Sequence, residues 1–496
     1  MEFNFHIETL GKYSDIYSLF KYLNYDLELE QSFFLESVQE ESKELLFSFI
    51  CLEPDYILEI TNNKYKFKEL KTEKGEAIKA FLESNENLDE SKEYTNFKDK
   101  VIYNVKALDL LEKLSPLDEH GFYEIFPRNV FYGGYLGYIG YDIVSDWVGY
   151  SKKTKFPDVM VGMHTKVLIF NHRTNKLYYI ENTLKNGYEA PTRIIQSLKK
   201  YKPLKPIQYP KVSMNGTSNI ISNVNQVEYF KMIEKIREYI YDGDIIQAVL
   251  SRKLKVKSET HDMDIYGALR QINPSPYMYY LNFGKIRLIG SSPEALVTID
   301  NDKISTVPIA GTRKRGKTTE EDEALELELL DDIKEKAEHV MLVDLARNDL
   351  AKVSKPGTVQ PIDFMKIKRF RNVMHIITTL NSIKRDKISS FEILKSMFPA
   401  GTVSGAPKLR AMEIINELEK EPRGPYAGVV GYCSLNGDCD WAITIRTLYL
   451  NENEITAQAG GGIVKHSQPV NEWFETENKL KSILQAVKMA EEITHE

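Results

Sequence analysis

Only three cysteines, Cys51, Cys433 and Cys439, occur in 496 residues. They are too few and too scattered for a disulfide framework or a C-x-x-C metal site, so their expected role is as small buried residues. None has a nucleophile-like glycine setting. A chain that released its own ammonia from glutamine would need an activated cysteine, and that activity is not expected here. Basic stripes and polybasic tails are also missing: 65 Lys and Arg stand against 72 Asp and Glu, giving a net charge of -7 and an isoelectric point near 5.9. This balance argues against a general binder of nucleic acid or anionic membrane, and any anionic ligand must be held by local groups. No apolar run approaches the length of a membrane span. The opening MEFNFHIETLGKYSDIY lacks the basic, apolar, small order of a signal peptide, so the cytoplasm is the expected compartment. No internal repeat is visible.

What is present supports a large core. Hydrophobic residues make up 42% of the chain, enough at this length for one large domain or two to three average ones. The first sixty residues read as a short helix and then two strands, QSFFLESV and LLFSFICLEP, with a turn at Asn62-Asn63 before a charged strand over 64–70. Residues 73–113 are polar and helix-prone, the composition of a surface excursion. VFYGGYLGYIGYD reads as a core strand in close backbone contact. In VGMHTKVLIFNHRTNKLYYIEN two β-rich runs flank the turn 172–175, the pattern of a hairpin. Pro, Lys, Ser and Asn crowd 201–222, marking a linker between an N-terminal region, 1–200, and a C-terminal domain, 223–488.

Helical spacing over 227–241 leads into GDIIQAVLSRKLKV, an apolar strand introduced by a Gly-Asp turn. Further strands are predicted at 286–291, 294–299 and 303–308. After the central helices comes a meander: 426–435, the Asn436-Gly437 turn, 441–450 and 454–459. Strands joined by such tight turns are antiparallel. Mostly antiparallel sheets with helices gathered between strand groups predict an α+β fold.

Two loops invite a functional reading. FPAGTVSGAPKLRAME, at 398–413, runs a glycine-bearing loop into a helix whose Leu409, Met412, Ile415 and Leu418 form one stripe. Pro407 suits the first turn, and the N-terminal amides with Lys408 and Arg410 outline an anion site. GTRKRGKT, at 311–318, matches the phosphate-loop pattern, and VMLVD, at 340–344, imitates the strand whose aspartate holds magnesium in nucleotide hydrolases. A true phosphate loop needs parallel strands around it. None is predicted, and VMLVD continues a helical spacing through Leu330, Ile333, Ala337, Val340 and Met341. A nucleotide hydrolase is therefore the remote reading.

PIAGT at 308–312, AEHVMLVDLARNDL at 337–350, FPAGTVSGAPKLRAME at 398–413 and AGGGIV at 459–464 closely resemble, in the same order, the motifs of the chorismate-binding enzymes. Within that family the chain is similar to the synthase components of anthranilate synthases. The resemblance is strong over the C-terminal half and rests on short matches in the N-terminal half. It implies two packed, mainly antiparallel sheets with helices outside. It also implies an Mg²⁺-dependent lyase that makes anthranilate and pyruvate from chorismate and ammonia, the ammonia coming from a partner glutamine amidotransferase subunit in a hetero-oligomer.

The resemblance assigns residues as well. Glu338 and Glu475 match the Mg²⁺ ligands, as oxygen donors suited to that ion. Gly311, Thr312, Tyr426, Arg446, Gly460, Gly461, Gly462 and Lys479 match chorismate contacts, arginine offering a fork for a carboxylate and glycines a close backbone approach. His375 matches the proposed proton donor to the departing ring hydroxyl and completes a catalytic set with Thr312 and Gln247. Gln247 stands where water-adding relatives carry a lysine base, and Ala310 where aminodeoxychorismate-forming relatives often carry a nucleophilic lysine. The pair favours direct addition of ammonia over the aminodeoxychorismate synthase alternative. Finally, LES at 35–37 and NPSPYM at 273–278 resemble the two segments of a tryptophan feedback site, with Ser37, Pro276, Tyr277 and Met278 as its contacts.

Overall fold

The structure is a computed structural model that describes residues 3–36, 47–62, 64–68, 107–113, 115, 126, 130–149, 152, 154–183, 190–203, 207–210, 212, 220–371 and 373–493. Two antiparallel sheets pack face to face, the α+β architecture expected from the strand and turn pattern. The first orders its strands Asn4–Lys12, Lys176–Thr183, Lys166–Asn171, Phe47–Leu52, Ser32–Glu36, Tyr277–Asn282, Ile286–Ser292, Thr447–Asn451, Glu454–Ile463, Gln247–Lys257 and Ile221–Ser222. The short Gly405–Ala406 also pairs with Gln247–Lys257. The second runs Ile309–Lys314, Val373–Ile383, Lys303–Thr306, Ala295–Asp300, Cys439–Ile443, Val429–Ser434, Gly134–Ile139, Val159–His164, Tyr56–Thr61 and Lys64–Lys68, with Gln360–Arg369 on the other side of Val373–Ile383. Both halves of the chain build both sheets: Ser32–Glu36 pairs with Tyr277–Asn282, and Gly134–Ile139 with Val429–Ser434.

The first sheet is covered on both faces, and the side-chain alternation of its strands divides two cores. Phe33, Phe49, Cys51, Tyr279 and Leu288 point at the second sheet. Their neighbours Phe34, Ile50, Tyr280 and Ile289 point the other way, under the helices Ile16–Asp26, Asp262–Ile272 and Pro469–Glu491, where they meet Phe20, Leu269 and Leu484. Each such side chain, fully buried, contributes about 1.5–3 kcal/mol. Double coverage explains why QSFFLESV and LLFSFICLEP carry adjacent apolar residues rather than a strict alternation. The Gln226–Tyr241 helix starts where its sequence says it should, at an Asn225 cap that forms a reciprocal box with Glu228.

Four features differ from the sequence reading. Asn4–Lys12 is a strand that was not expected; its mixed, half-exposed residues pair along Lys176–Thr183, with a bulge between Thr9 and Gly11. The strand expected over 441–450 is two strands in different sheets, because the chain turns at Arg446, whose φ is +49°, and crosses from Cys439–Ile443 to Thr447–Asn451. The strand after it runs past Ala459 to Ile463 and takes in the glycines. Cys433 and Cys439 face each other across the Asn436-Gly437 hairpin as a disulfide, brought together by a turn that the count of cysteines did not anticipate. Of the polar stretch 73–113, only the Ala107–Lys113 helix lies within the described residues, and Asn63 of the Asn62-Asn63 turn lies outside them.

His164 sits in the inter-sheet core, fully buried, edge-on to Phe33 at 4.8 Å, and neither ring nitrogen has a partner among the described residues. Burial lowers its pKa from 6.5 to about 3, and lowers those of the buried His339 and His375 to about 4. A depressed folded-state pKa means stability that is complete above pH 6.5 and is lost as pH falls toward 4, since only the unfolded chain takes up these protons there. The thermal midpoint is therefore expected to drop between pH 6.5 and 4. His164→Leu should shallow that drop whatever it does to the midpoint at pH 8; an unchanged slope in a melting series would contradict the assignment.

Candidate active site

The site is built on a strand that carries no side chain at Gly460, Gly461 and Gly462. Glu454–Ile463 runs antiparallel to Gln247–Lys257, with Gly460 opposite Ser251, Gly461 opposite Leu250 and Gly462 opposite Val249. Functional groups fill the space that side chains would take. A methyl on Gly460 would lie 2.7 Å from the Tyr426 hydroxyl, and one on Gly462 would lie 2.2 Å from Gln247 Nε2 and 3.7 Å from Glu338 Oε1. On the opposite face, one on Gly461 would lie 3.2 Å from Glu472 Oε2 and 3.8 Å from Glu475 Oε1.

Glu338 comes from the Ile333–Ala351 helix and Glu475 from Pro469–Glu491. Burial, and then the charge of Glu475, raises the Glu338 pKa, against the pull of a Gln247 Nε2 donor at 3.1 Å. Each glutamate has another one helical turn before it, Glu335 and Glu472. Burial raises both of these as well, with the charges of Glu338 and Glu475 adding to the effect. These two neighbours escaped the sequence reading, although the E-x-x-E spacing in KEKAEH and NEWFE was a usable signal. Lys479 Nζ bridges Glu475 Oε1 at 2.7 Å and the Gly460 carbonyl at 2.9 Å.

Four carboxylates gather here, burial raising the pKa of Glu335, Glu338 and Glu472, while Lys479 pairs with Glu475 at 2.7 Å and Arg313 lies 3.8 Å from Glu335. Gln247 Oε1, buried beside them, has no partner among the described residues. An Mg²⁺ ion fits this donor set. Among the described residues no three His, Cys, Asp or Glu groups enclose an ion alone, so water and substrate would have to complete the shell.

The second sheet supplies the other groups. His375 and Thr312 are cross-strand partners at a bulge where Gly311 takes φ +66°. His375 Nδ1 lies 2.8 Å from the Gly311 carbonyl and 3.0 Å from Thr312 Oγ1. The carbonyl can only accept, so Nδ1 carries the hydrogen and Nε2 is left as the free lone pair of a neutral ring. Burial, with Arg446 and Lys479 nearby, holds that ring neutral. Glu294, which the sequence reading missed, behaves in the opposite way. It is buried in SSPEAL, and desolvation raises its pKa to about 8 despite a Thr402 hydroxyl at 2.9 Å and the charges of Arg446 and Lys479. It is the protonated group of the cluster near neutral pH. Only a buried position distinguishes it from an ordinary strand-end glutamate, and burial is not written in the local sequence.

Tyr426 is held by Arg423, another residue missed. The Arg423 guanidinium stacks on Tyr426 at 5.6 Å, pairs with Glu419 at 2.7 Å, and donates to the Val249 and Val403 carbonyls at 2.6 and 2.7 Å. It thereby ties the loop at 398–413 to the strand behind the glycines. The loop itself departs from the outline of an anion site. Lys408 is spent on Asp349 at 2.5 Å and on the Met397 carbonyl, while Arg410 is spent on Asp244 and Glu413. Pro407 is the cap, not a first-turn residue, and Leu409 is 53% exposed whereas Met412 and Ile415 are buried. What the loop contributes to the site is Thr402.

GTRKRGKT is also settled. Its Gly316 and Lys317 amides donate to Asp322 and Glu321 of the following helix, at 2.8 and 2.7 Å, so carboxylates of the chain occupy the place of a phosphate. VMLVD is helical and the surrounding sheet is antiparallel. At the expected inhibitor segments, Glu36 and Met278 are cross-strand partners, Pro276 and Met278 are buried, and the Tyr277 hydroxyl donates to Asp440 at 3.0 Å. Ser37 lies outside the described residues. Three strand spacings separate Tyr277–Asn282 from Glu454–Ile463, about 14 Å.

The model of the chorismate binding enzyme family matches residues 53–485. Anthranilate synthase component 1 of Aquifex aeolicus is 42% identical over 412 residues, covering 79% of this chain and 80% of its own. That of Bacillus pumilus is 38% identical over 484 residues, covering 94% and 88%. The crystal structure of anthranilate synthase component I from Streptococcus pneumoniae superposes with a TM-score of 0.74 at 32% identity, covering 90% of this chain and 94% of that one.

The glycine floor yields a direct expectation. Gly462→Ala should fold, since only the end of the Gln247 side chain must move, yet displacing that amide from Glu338 should lower kcat/KM at least about tenfold. A folded variant with unchanged kinetics would show that the strand tolerates side chains.

Proposed function

The chain belongs to the chorismate-binding enzymes, and we propose on that basis that it converts chorismate and ammonia to anthranilate, pyruvate and water. The observation that carries this reading is the absence of lysine at two places. Gln247, bonded to Glu338, stands where a water-activating base would be, and Ala310 where an amine nucleophile would be. Ammonia needs neither, because it is already a nucleophile.

In this reading Arg446 and Lys479 bind the substrate carboxylates, with the Gly460–Gly462 backbone as the floor and Tyr426 at its edge. Glu338 and Glu475 would hold Mg²⁺, which supplies a Lewis acid for the ring carboxylate when bound. Ammonia bonds to ring C2 as the C4 hydroxyl leaves. Glu294 gives that hydroxyl its proton, so that it departs as water. His375, the donor expected from the sequence, is neutral in the free enzyme and presents Nε2 as an acceptor; with Thr312 it orients the hydroxyl for protonation. Loss of the C2 proton and of the side chain as pyruvate then makes the ring aromatic.

The wider assignments follow the same reading. A separate glutamine amidotransferase subunit delivers ammonia in a cytoplasmic hetero-oligomer. Residues 223–488 carry the catalytic site. The 1–200 region carries part of a tryptophan site with Ser37, which Pro276, Tyr277 and Met278 complete. Tryptophan bound there acts by favouring a conformation of lower chorismate affinity, so chorismate should weaken tryptophan binding by the same factor.

Purified chain mixed with chorismate, Mg²⁺ and ammonium at alkaline pH should form fluorescent anthranilate and pyruvate in equal amounts; no consumption of chorismate would overturn the reading. Glutamine should replace ammonium only after a partner amidotransferase subunit is added, and glutamine-dependent product from the pure chain would contradict that division of labour. Glu294→Gln should cut kcat by about 10²–10⁴. In the unmodified enzyme kcat should fall as pH rises through about 8, when Glu294 loses its proton. A rate that stays level from pH 7 to 9 would remove Glu294 from the acid role.

A further inference from the structure

Next to Glu338 in sequence lies His339, the one histidine of the Ile333–Ala351 helix, with no exposed surface. Its Nε2 lies 2.6 Å from Thr378 Oγ1, and Thr378 is equally buried. The Thr378 hydroxyl also accepts the Met365 amide at 3.1 Å, and the Thr378 amide donates to the Pro308 carbonyl at 3.3 Å. Four segments therefore meet at one hydroxyl-bearing residue: the Ile333–Ala351 helix, the Val373–Ile383 strand, the Gln360–Arg369 strand and the turn before Ile309–Lys314.

Three of these segments carry a group of the site close by in sequence. Glu338 is one residue from His339, His375 is three residues from Thr378, and Gly311 and Thr312 are three and four residues from Pro308. The Glu338 carboxylate is on a helix and the His375 imidazole is in a sheet, and no direct bond between those two side chains fixes their separation. The His339–Thr378 bond is the buried polar contact that joins the helix to the strand at this level. The helix also meets this sheet through the partly exposed Arg313–Glu335 pair at its N-terminal end and through the buried, apolar Leu342 and Val343, and both kinds of contact tolerate sliding by a fraction of an ångström better than a buried 2.6 Å hydrogen bond does.

We propose that His339 is a positioning residue: through Thr378 it sets the distance between the Glu338 carboxylate and the His375–Thr312 pair, and so couples ion binding to the protonation site. This rests on the assignment of Glu338 to an Mg²⁺ ion. His339 touches neither substrate nor ion. Its effect is on where Glu338 stands, in the way that outer partners of a ligand govern its affinity.

Thr378→Val removes the hydroxyl and keeps the shape, Thr378→Ser keeps the hydroxyl, and His339→Gln replaces the ring with a shorter amide. Mn²⁺ serves as the probe, its binding to each full-length variant followed by electron paramagnetic resonance without substrate, alongside kcat, KM and the melting midpoint. Thr378→Val and His339→Gln are expected to bind Mn²⁺ about tenfold or more weakly and to lose kcat by a similar factor, with Thr378→Ser within about twofold of the unmodified chain. Unchanged Mn²⁺ affinity in folded Thr378→Val or His339→Gln would overturn the proposal. So would equal losses in Thr378→Val and Thr378→Ser, because the hydroxyl would then not matter. If Thr378→Val melts below the assay temperature, His339→Gln against Thr378→Ser decides. No Mn²⁺ binding by the unmodified chain would instead defeat the ion assignment on which the proposal rests.

Discussion

Everything in this site depends on three consecutive residues that contribute no side chain. Gly460, Gly461 and Gly462 leave an open stretch of backbone that is paired on one side, to Ser251, Leu250 and Val249, and lies beyond the pairing of Thr447–Asn451 on the other; groups from four other elements lie against it. Tyr426 and Gln247 lie against it from the sheet side, Glu338 from one helix, and Glu472 and Glu475 from another. A strand of ordinary residues would fill the same volume with carbon and keep these groups apart. The cost is a strand of low intrinsic β propensity, offset here by burial of its neighbours Ala457, Ala459 and Ile463 and by pairing along ten residues of Gln247–Lys257.

Around that floor, charge is arranged by burial. The carboxylates Glu335, Glu338, Glu472 and Glu475 gather within reach of Lys479 and Arg313, a set of oxygen donors that suits a divalent ion. Burial, and then the nearby Arg446 and Lys479, hold His375 neutral, while Glu294, out of reach of solvent, stays protonated despite those charges. Arg423 and Glu419, themselves a buried pair, are hydrogen-bonded on all sides and act as a brace for Tyr426 and for the 398–413 loop. Such a pair is sensitive to losing one partner, because the other charge is then stranded in the core.

Much of the fold was legible. The tight turns at 172–175 and Asn436-Gly437, the helical spacing over 227–241 and the period of VMLVD led to correct strands and helices, because those signals are local. The misses are not local. Asn4–Lys12 is a strand only because Lys176–Thr183 lies beside it, and the break at Arg446 follows from a change of sheet. At the site, motif resemblance picked out Gln247, Glu338, Tyr426, Glu475 and Lys479, which lie against Gly460, Gly461 and Gly462, and Gly311, Thr312 and His375, which meet one another on the second sheet, with Arg446 close enough to act on His375 and Glu294. Glu294, Arg423 and His339 escaped because their importance comes from burial and from distant partners. The positive charges of Lys408 and Arg410 were overvalued for the same reason, since the carboxylates that neutralise them are far away in sequence.

The central proposal is that Glu338 and Glu475, which lie against neighbouring glycines of one strand, together hold a divalent ion. Mn²⁺ titration of the full-length chain by electron paramagnetic resonance, with and without chorismate, tests it most directly when repeated on Glu338→Gln and Glu475→Gln. One ion per chain is expected, bound more tightly when chorismate is present, with each substitution weakening it by at least about tenfold. Stoichiometric Mn²⁺ binding of unchanged affinity in both variants would contradict the claim.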